Sequence, residues 1–243
     1  MKKCALITGA SGGIGKAIAL RLAADGFDIA ACYHTDEQSA AELGNELKKL
    51  GTNFRLYKAD VADYKQVEDI FTDAAEYFGG VSVLVNNAGI AQQKLFTDIT
   101  EDDFDRICAV NFKSVYNTCK FAVPYMVNRK DGVIINISSM WGVCGASCET
   151  VYSATKAAVI GFSKALAREL APSGIRVNCI APGAIETKMN NNLSPSDKAD
   201  FANEIPMGRF GTPDEIAGIV SFLAGKDSAY VTAQVITADG GLI

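Results

Sequence analysis

Short apolar runs alternate with longer segments of helical period from one end of the chain to the other. The apolar runs are continuous rather than interrupted by polar residues, which is typical of strands buried on both faces. The predicted strands are residues 4–8, 27–33, 53–58, 83–86, 132–137, 176–180 and 234–238. Because a helical segment separates most strands from the next, the pattern predicts an α/β fold, a parallel sheet covered by helices on both faces.

Several helix boundaries carry explicit signals. Asp25-Gly26 and Leu50-Gly51 are typical helix ends. Capping-box patterns predict three helix starts: Asp63 with Gln66, Thr100 with Asp103 as a weaker variant, and Thr212 with Glu215, where Pro213 takes the first helical position.

The alternation of strands and helices lapses only over residues 184–210, which we expect to form a substrate loop or lid. We see no linker and expect residues 1–243 to form one domain.

Composition narrows the class of protein. Of 243 residues, 49% are hydrophobic and 21% charged, as in soluble globular proteins, and 23 basic against 28 acidic residues give a net charge of −5. An acidic chain without a basic cluster argues against binding nucleic acid or an anionic membrane surface. No apolar run approaches the roughly 20 residues that span a bilayer, and none forms a signal peptide, so we expect a cytoplasmic protein.

Cysteine and histidine usage excludes further classes. The seven cysteines are odd in number and show no repeated CxxC spacing, which favours free, mostly buried thiols over disulfides or zinc. His34 is the only histidine, so neither a histidine-based metal site nor a Ser-His-Asp triad is expected. We predict no metal.

A glycine-rich turn follows the first strand directly. Residues 8–15 read Thr-Gly-Ala-Ser-Gly-Gly-Ile-Gly, and a helix begins at about Lys16. Glycines let the backbone turn tightly and approach a phosphate, and a helix start offers unpaired N–H groups. The context of strand, loop and helix predicts a dinucleotide site, although the spacing is Gly-x-x-x-Gly-x-Gly and a purely structural turn remains an alternative.

The end of the second strand bears on the choice of cofactor. NAD sites often place an acid there to bind the ribose hydroxyls, but this position holds Tyr33. Asp36 lies three residues later, where it is better placed to start the next helix. His34 and Thr35 can donate hydrogen bonds to a 2′-phosphate. The sequence therefore favours NADP, with NAD possible because Gly12 supplies no basic side chain in the glycine turn.

Other polar residues lie at strand ends, where open α/β sheets bind ligands. They are Asp60-Val61, Asn86-Asn87-Ala88-Gly89 and Ser138-Ser139. Tyr152 and Lys156 lie four apart on a predicted helix and so share a face. An adjacent cation favours a phenolate, so we expect Lys156 to lower the pKa of Tyr152 and make it a proton donor and acceptor usable near neutrality.

Taken together, these motifs resemble the short-chain dehydrogenase/reductase family over nearly the whole chain. They are residues 8–15, residues 86–89, Asn111, Ser139, Tyr152-x-x-x-Lys156 and Pro182-Gly183. The resemblance implies a single-domain Rossmann fold with a doubly wound, seven-stranded parallel sheet, and a homotetramer. It also implies a catalytic tetrad of Asn111, Ser139, Tyr152 and Lys156, with Ser138 as the alternative serine.

The resemblance gives each tetrad residue a role. Ser139 binds the substrate carbonyl, and Tyr152 passes a proton to its oxygen as hydride arrives from the nicotinamide. Lys156 tunes the phenol and binds the nicotinamide ribose, and Asn111 holds a water that connects Lys156 to solvent. Cofactor contacts implied in the same way are Gly9, Ser11, Gly12, Gly13, Ile14, Gly15, Tyr33, His34, Thr35, Asp60, Val61, Asn86, Asn87, Ala88, Gly89, Tyr152, Lys156, Pro182, Gly183, Ile185 and Thr187.

Within the family the chain is most similar to 3-oxoacyl-acyl-carrier-protein reductases, through residues 206–217 and 239–241. It departs from them at Gln92-Gln93 and Trp141. Arg129-Lys130 could contact an acidic carrier protein, but a solvated helix end is the favoured interpretation. We therefore expect a small-molecule or carrier-bound acyl substrate. The alternatives are a sugar, polyol or steroid dehydrogenase and, more remotely, a non-catalytic dinucleotide-binding regulator.

Overall fold

The computed structural model describes residues 3–187 and 194–243. A seven-stranded, all-parallel sheet forms the centre of the molecule. The strands run in the order β3-β2-β1-β4-β5-β6-β7. They are β1 Cys4–Ile7, β2 Asp28–Tyr33, β3 Phe54–Lys58, β4 Val83–Asn86, β5 Gly132–Ile137, β6 Ile175–Pro182 and β7 Val235–Ala238. Each begins within one residue of its predicted start, so the predicted α/β fold is confirmed.

Helices cover both faces of this sheet and give a single Rossmann-type domain. The α-helices are α1 Gly13–Ala24, α2 Glu37–Lys49, α3 Tyr64–Phe78, α4 Glu101–Cys108, α5 Ser114–Arg129, α6 Trp141–Cys144, α7 Thr150–Leu170, α8 Pro195–Glu204 and α9 Pro213–Ala224. Helices α1, α2 and α9 bury side chains such as Leu22 and Val220 on one face, and α3, α5 and α7 bury Met126 and Val159 on the other. Two apolar layers therefore enclose the sheet.

Local capping signals mark several helix boundaries. Thr100 and Thr212 each complete a capping box, at α4 and α9. Asp63 caps α3, but Gln66 Oε1 accepts from the Asp60 N–H rather than from the Asp63 N–H, so the predicted capping box is incomplete, although Gln66 Nε2 donates to Asp63 Oδ2 at 3.1 Å. Asp36 caps α2, as predicted. Each cap depends on residues within three or four positions of one another, so the sequence alone predicts where these helices begin.

The segment 184–210 is less irregular than predicted, because it contains α8. Ser194 caps this helix through the N–H of Asp197, and Pro195 takes its first position. Helix α8 buries no residue, so its sequence lacks the apolar period by which helices are recognised. Residues 188–193 lie outside the described residues. None of the described helices is long and apolar enough to cross a membrane.

The order of strands reverses between β1 and β4, because β2 lies on one side of β1 and β4 on the other. In open parallel sheets the connections leaving two such strands turn to opposite faces and leave a crevice at their carboxyl ends. The glycine turn after β1 and residues 86–89 after β4 both lie at this crevice.

Candidate active site

The glycine turn leaves open space at the start of α1. Gly9 has a φ of +64°, and a Cβ on Gly15 would lie 2.2 Å from the Gly9 carbonyl oxygen, so neither position accepts a side chain without rearrangement. Gly12 caps α1 without a side-chain bond, and a Cβ there would meet nothing within 4 Å. The N–H groups of a first helical turn have no partner within the helix, and beside open space they fit the diphosphate of a dinucleotide.

Hydrogen bonds tie the turn after β4 to the glycine turn. Asn87 Nδ2 donates to the carbonyls of Thr8 and Gly9 at 3.0 and 3.1 Å. The Thr8 hydroxyl accepts from the N–H groups of Asn87 and Ala88, both at 3.0 Å. The side chain of Asn87 is therefore committed to holding two loops together.

The side chain of Asn86 departs from the expected cofactor contact. Its side chain is buried, donates to Asn136 Oδ1 at 2.8 Å and accepts from the Thr118 hydroxyl at 2.6 Å. A polar side chain at the end of a central strand can point into the core when buried polar groups there form hydrogen bonds with it. The Asn86 side chain therefore faces away from the crevice, and its backbone alone could contact a ligand.

Helix α7 presents Tyr152 and Lys156 on its buried face. Lys156 Nζ donates to the Ile137 carbonyl at 3.0 Å and lies 5.7 Å from the centre of the Tyr152 ring. The Ser139 side chain interacts with the Tyr152 phenol and lowers its pKa, and its Oγ accepts from the Trp141 N–H at 3.2 Å, whereas the Ser138 hydroxyl donates to the Lys156 carbonyl at 2.8 Å. The structure thus brings Ser139, rather than Ser138, to the tyrosine.

Asn111 closes the other side of this cluster. It lies in a π-helical turn, Ala109–Lys113, where the sequence pattern predicts regular helix. Its side chain accepts from the Ile90 N–H at 2.8 Å and donates to the Ile90 carbonyl at 2.9 Å and to Thr155 Oγ1 at 3.2 Å. A Cβ on Gly89 would lie 3.3 Å from both Asn111 Oδ1 and Lys156 Nζ, so these two members of the predicted tetrad meet at Gly89.

Burial dominates the protonation of the tyrosine and the lysine. It raises the pKa of Tyr152 to about 12, with the Ser139 contact lowering it and Glu149 raising it further. Burial also lowers the pKa of Lys156 to about 8. The expectation that the pKa of the phenol falls toward neutrality is therefore wrong for the protein by itself, because desolvation disfavours the phenolate more than nearby groups favour it. The part that Lys156 plays in tuning the phenol stays a prediction.

Glu149 is a residue that the sequence analysis missed. It precedes Tyr152 by three positions and occupies the N-cap of α7, yet its side chain makes no capping bond. It is half-buried, burial raises its pKa, and its charge also raises the pKa of Tyr152. No sequence pattern marks Glu149, because its partial desolvation beside a buried phenol arises only in the folded chain.

The far end of the crevice lies at β2 and β3. Tyr33 pairs with Lys58 in register, and Lys58 forms an ion pair with Glu37 at the start of α2. Exposed His34 and Thr35 follow Tyr33. Asp60 and Val61 follow β3, where Asp60 Oδ1 accepts from the Ala62 N–H at 2.9 Å. Tyr33 itself carries no charge to bind a ribose or a phosphate.

The segment after β6 approaches the glycine turn. A Cβ on Gly13 would lie 2.7 Å from Thr187 Cγ2, so Thr187 sits directly over the turn. Ile185 pairs with Gly211, and the carbonyl of Pro182 accepts from the Met140 N–H at 2.9 Å. A Cβ on Gly183 would lie 2.6 Å from Asp239 Cα. Thr187 therefore lies at the crevice, while Pro182 and Gly183 are fixed by neighbouring backbone.

Two buried thiols border this arrangement of side chains: Cys119 Sγ accepts from Asn86 Nδ2 at 3.6 Å, and the interaction with Cys179 raises the pKa of Lys156, against the larger effect of burial. All seven cysteines are free thiols, of which four are buried, two are half-buried and one, Cys144, is exposed. Among the described residues, no group of three or more His, Cys, Asp or Glu side chains could hold a metal ion.

Comparison with known proteins gives concordant matches. Residues 9–243 match the protein family described as enoyl-(acyl carrier protein) reductase. The chain is 40% identical over 242 residues to the uncharacterized oxidoreductase YmfI of Bacillus subtilis, covering 99% of both chains. It is 41% identical to the 3-oxoacyl-[acyl-carrier-protein] reductase FabG of Thermotoga maritima, over 99% of this chain and 98% of that protein. The FabG of Staphylococcus aureus strain Mu50 is also 41% identical, over 100% and 98% of the two chains.

Proposed function

Since the chain belongs to the short-chain dehydrogenase/reductase family of NAD(P)-dependent oxidoreductases, we propose that it reduces a ketone with NADPH. We further propose that the ketone is a 3-oxoacyl thioester. The observation that carries the reaction type is the convergence of Ser139, Tyr152 and Lys156, all buried, at the carboxyl ends of β4 and β5.

The proposed roles follow from charge development on the substrate. NADPH, when bound, supplies the hydride that reduces the carbonyl carbon. Ser139 donates a hydrogen bond to the carbonyl oxygen, and Tyr152 transfers its phenolic proton to that oxygen as negative charge develops there. A phenol whose pKa is about 12 is protonated at neutral pH and therefore ready to act as the acid.

The lysine and asparagine support this proton transfer. Lys156, whose pKa burial lowers to about 8, is poised to exchange a proton near neutrality and to donate to the nicotinamide ribose. Asn111 fixes Ile90 and Thr155 on either side of the cluster. The predicted water between Asn111 and Lys156 remains part of the proposal.

The proposed dinucleotide path runs across the crevice. The glycine turn (Gly9 to Gly15) and Thr187 hold the diphosphate, Gly89 leaves room for ribose, and Asp60 with Val61 lines the adenine end. The preference for NADPH is supported by the absence of a carboxylate at Tyr33 and by Lys58 beside it. A 2′-phosphate gains more from an ammonium than a ribose hydroxyl does.

The thioester assignment is supported by relatives that carry the 3-oxoacyl-[acyl-carrier-protein] reductase name at 41% identity over nearly their full length. Arg129 gives no added support for a carrier contact, because its guanidinium donates to the Tyr125 hydroxyl at 2.8 Å at the end of α5. The homotetramer stays part of the proposal, and exposed aromatic side chains such as Phe104 and Tyr116 are consistent with it.

A second substrate class is favoured by Glu149. A half-buried carboxylate without a capping bond, close to the phenol, would accept a hydrogen bond from a hydroxyl on the substrate. A 3-oxoacyl chain carries no such donor beside its ketone. A hydroxylated ketone, such as a sugar or polyol derivative, is therefore the alternative.

Turnover of acetoacetyl-CoA tests the proposal. With NADPH, the wild-type protein should consume reduced-nicotinamide absorbance, and Tyr152→Phe should lose at least about 100-fold in kcat while its affinity for NADPH stays within about twofold. Turnover of a hydroxylated ketone but of no 3-oxoacyl thioester would transfer the assignment to the second class. An unchanged rate in Tyr152→Phe would contradict the proton-transfer mechanism itself.

A further inference from the structure

Asn117 is a buried polar residue of α5 that the proposed mechanism does not use. Its side chain is 0% exposed. Nδ2 donates to two consecutive backbone carbonyls, those of Val61 at 3.1 Å and Ala62 at 3.2 Å. One amide group therefore holds two peptide units of the segment that follows β3.

The orientation of this amide is dictated by its partners. Turning it over would place Oδ1 against two carbonyl oxygens, which repel it. In the observed orientation Oδ1 is buried and has no hydrogen-bond partner in the described part of the chain. An unpaired buried carbonyl costs about 1–3 kcal/mol. Asn117 therefore stabilises the fold less than its two bonds suggest, and its main effect is on the segment it holds.

Beyond the bond from the Ala59 N–H to the Tyr33 carbonyl at 2.9 Å at its start, residues 60–63 of this segment are otherwise held by bonds to near neighbours. Asp60 Oδ1 accepts from the Ala62 N–H at 2.9 Å, and Gln66 Oε1 accepts from the Asp60 N–H at 2.9 Å. The Asp60 carbonyl accepts from the Asp63 N–H at 3.0 Å. These bonds of Asp60 are local in sequence. Asn117, more than fifty residues away, fixes the turn relative to the rest of the crevice.

The same helical stretch also fixes the opposite end of the crevice. Asn111 binds both backbone groups of Ile90, directly after Gly89, and Asn117 binds the segment after β3. The buried amides of Asn111 and Asn117, six residues apart, thus hold two backbone segments, the one at Ile90 and the one at Val61 and Ala62, at a fixed separation. These two segments form the walls of the crevice at the two ends of the proposed dinucleotide path.

We propose that Asn117 is a positioning residue for the adenine end of the dinucleotide. It holds the backbone of Val61 and Ala62 toward α5 and so fixes the wall that Asp60 and Val61 present to the adenosine moiety. This inference rests on the proposed function, which places the adenosine against Asp60 and Val61.

Binding of 2′,5′-ADP, which contains only the adenosine end of NADPH, tests the inference by calorimetry. Asn117→Leu keeps a similar volume and removes the two donors. We expect it to weaken 2′,5′-ADP binding by at least about fivefold, because the wall is no longer fixed before binding. The KM for NADPH should rise to a similar extent, while kcat at saturating NADPH stays within about twofold.

Ser114→Ala is the matched control. Ser114 is buried on the same helix, but its hydroxyl donates to the carbonyl of Val110, a bond within the same helical stretch. We expect this variant to bind 2′,5′-ADP like the wild type. Should Asn117→Leu fail to fold, the smaller Asn117→Ala undergoes the same measurements.

The outcomes separate this inference from the proposed function. Equal 2′,5′-ADP affinity in the wild type and a folded Asn117 variant would overturn the positioning role. So would a fall in kcat with unchanged KM, since that result places the effect at the reacting end. Lack of turnover with any 3-oxoacyl thioester would contradict the proposed substrate and leave the binding comparison intact.

Discussion

At the scale of single residues, the adjacent serines at the end of β5 have different surroundings. Ser138 and Ser139 are both buried. The Ser138 hydroxyl donates to the carbonyl of Lys156 in α7, whereas the Ser139 side chain interacts with the Tyr152 phenol. One serine therefore joins helix to strand, and we propose that the other acts on the substrate carbonyl.

Alanine substitution should separate these two roles. Ser139→Ala should lower kcat/KM for ketone reduction by at least about 100-fold, because it removes a donor aimed at developing charge. Ser138→Ala should lower the free energy of unfolding by about 1 kcal/mol through loss of a buried hydrogen bond, with kcat/KM changed by less than about fivefold. Steady-state kinetics and urea unfolding of both variants check this. Equal losses of activity in Ser138→Ala and Ser139→Ala would contradict the proposal that Ser139 alone acts on the substrate carbonyl.

Glu149 is the charged group that disfavours ionisation of Tyr152. The groups that face the phenol are Ser139, which lowers its pKa, Lys156 near its ring, and Glu149, which raises it. Removing the negative charge of Glu149 stabilises the phenolate. In Glu149→Gln the pKa of Tyr152 therefore falls.

The pH dependence of alcohol oxidation should report this change, since oxidation requires the phenolate as base. In Glu149→Gln the rise of kcat/KM with pH should move to lower pH by about half a unit. Glu169→Gln, at the far end of the same helix, serves as the control and should leave the profile unchanged. A profile that moves to higher pH in Glu149→Gln would contradict the electrostatic role.

At the scale of secondary-structure elements, we propose that the junction of β2, β3 and α2 sets the preference between the two dinucleotides. Register places Lys58 beside Tyr33, and the ion pair with Glu37 places the ammonium at the start of α2. The pair is exposed, so its own contribution to stability is small. Its ammonium is therefore available to a 2′-phosphate.

Lys58→Met should alter cofactor preference more than activity. We expect kcat/KM for NADPH to fall by about tenfold, since a hydrogen bond to a charged group is lost, and that for NADH to stay within about twofold. Lys65→Met, which breaks a comparable exposed pair with Glu68, is the control. Equal losses with NADPH and NADH would show that Lys58 does not recognise the 2′-phosphate.

At the scale of the whole molecule, the fold determines which thiols can react. Cys4, Cys32, Cys119 and Cys179 are buried, Cys108 and Cys148 are half-buried, and Cys144 is exposed. Burial raises the pKa of Cys32 and Cys119 to about 12 and that of Cys179 to about 11. The thiolate is the reactive form of cysteine. The buried cysteines are therefore protected both by their inaccessibility to reagents and by their raised pKa, which keeps them protonated.

Thiol labelling of the native protein should follow this order. With iodoacetamide near neutral pH, Cys144 should react first and the half-buried cysteines more slowly, and the four buried ones only after unfolding. Mass spectrometry of digested samples over time checks the order. Rapid labelling of Cys32 or Cys179 in native protein would show that the core opens on the timescale of the reaction.

Sequence alone determined the parts of this protein that depend on neighbouring residues. Strand positions follow from continuous apolar runs, and the caps at Thr100 and Thr212 from residues three apart. The glycine turn after β1 and the Tyr152–Lys156 spacing are also local patterns. The sequence therefore predicts the α/β fold and the motifs that identify the family.

The tertiary structure decided what depends on burial and on contacts between distant segments. It turned the Asn86 side chain into the core, assigned Ser139 to Tyr152, and placed Asn117 against a segment more than fifty residues away. It also reversed the expected direction of the Tyr152 pKa. Desolvation and long-range hydrogen bonding arise only when the chain has folded, so no local pattern of residues encodes them.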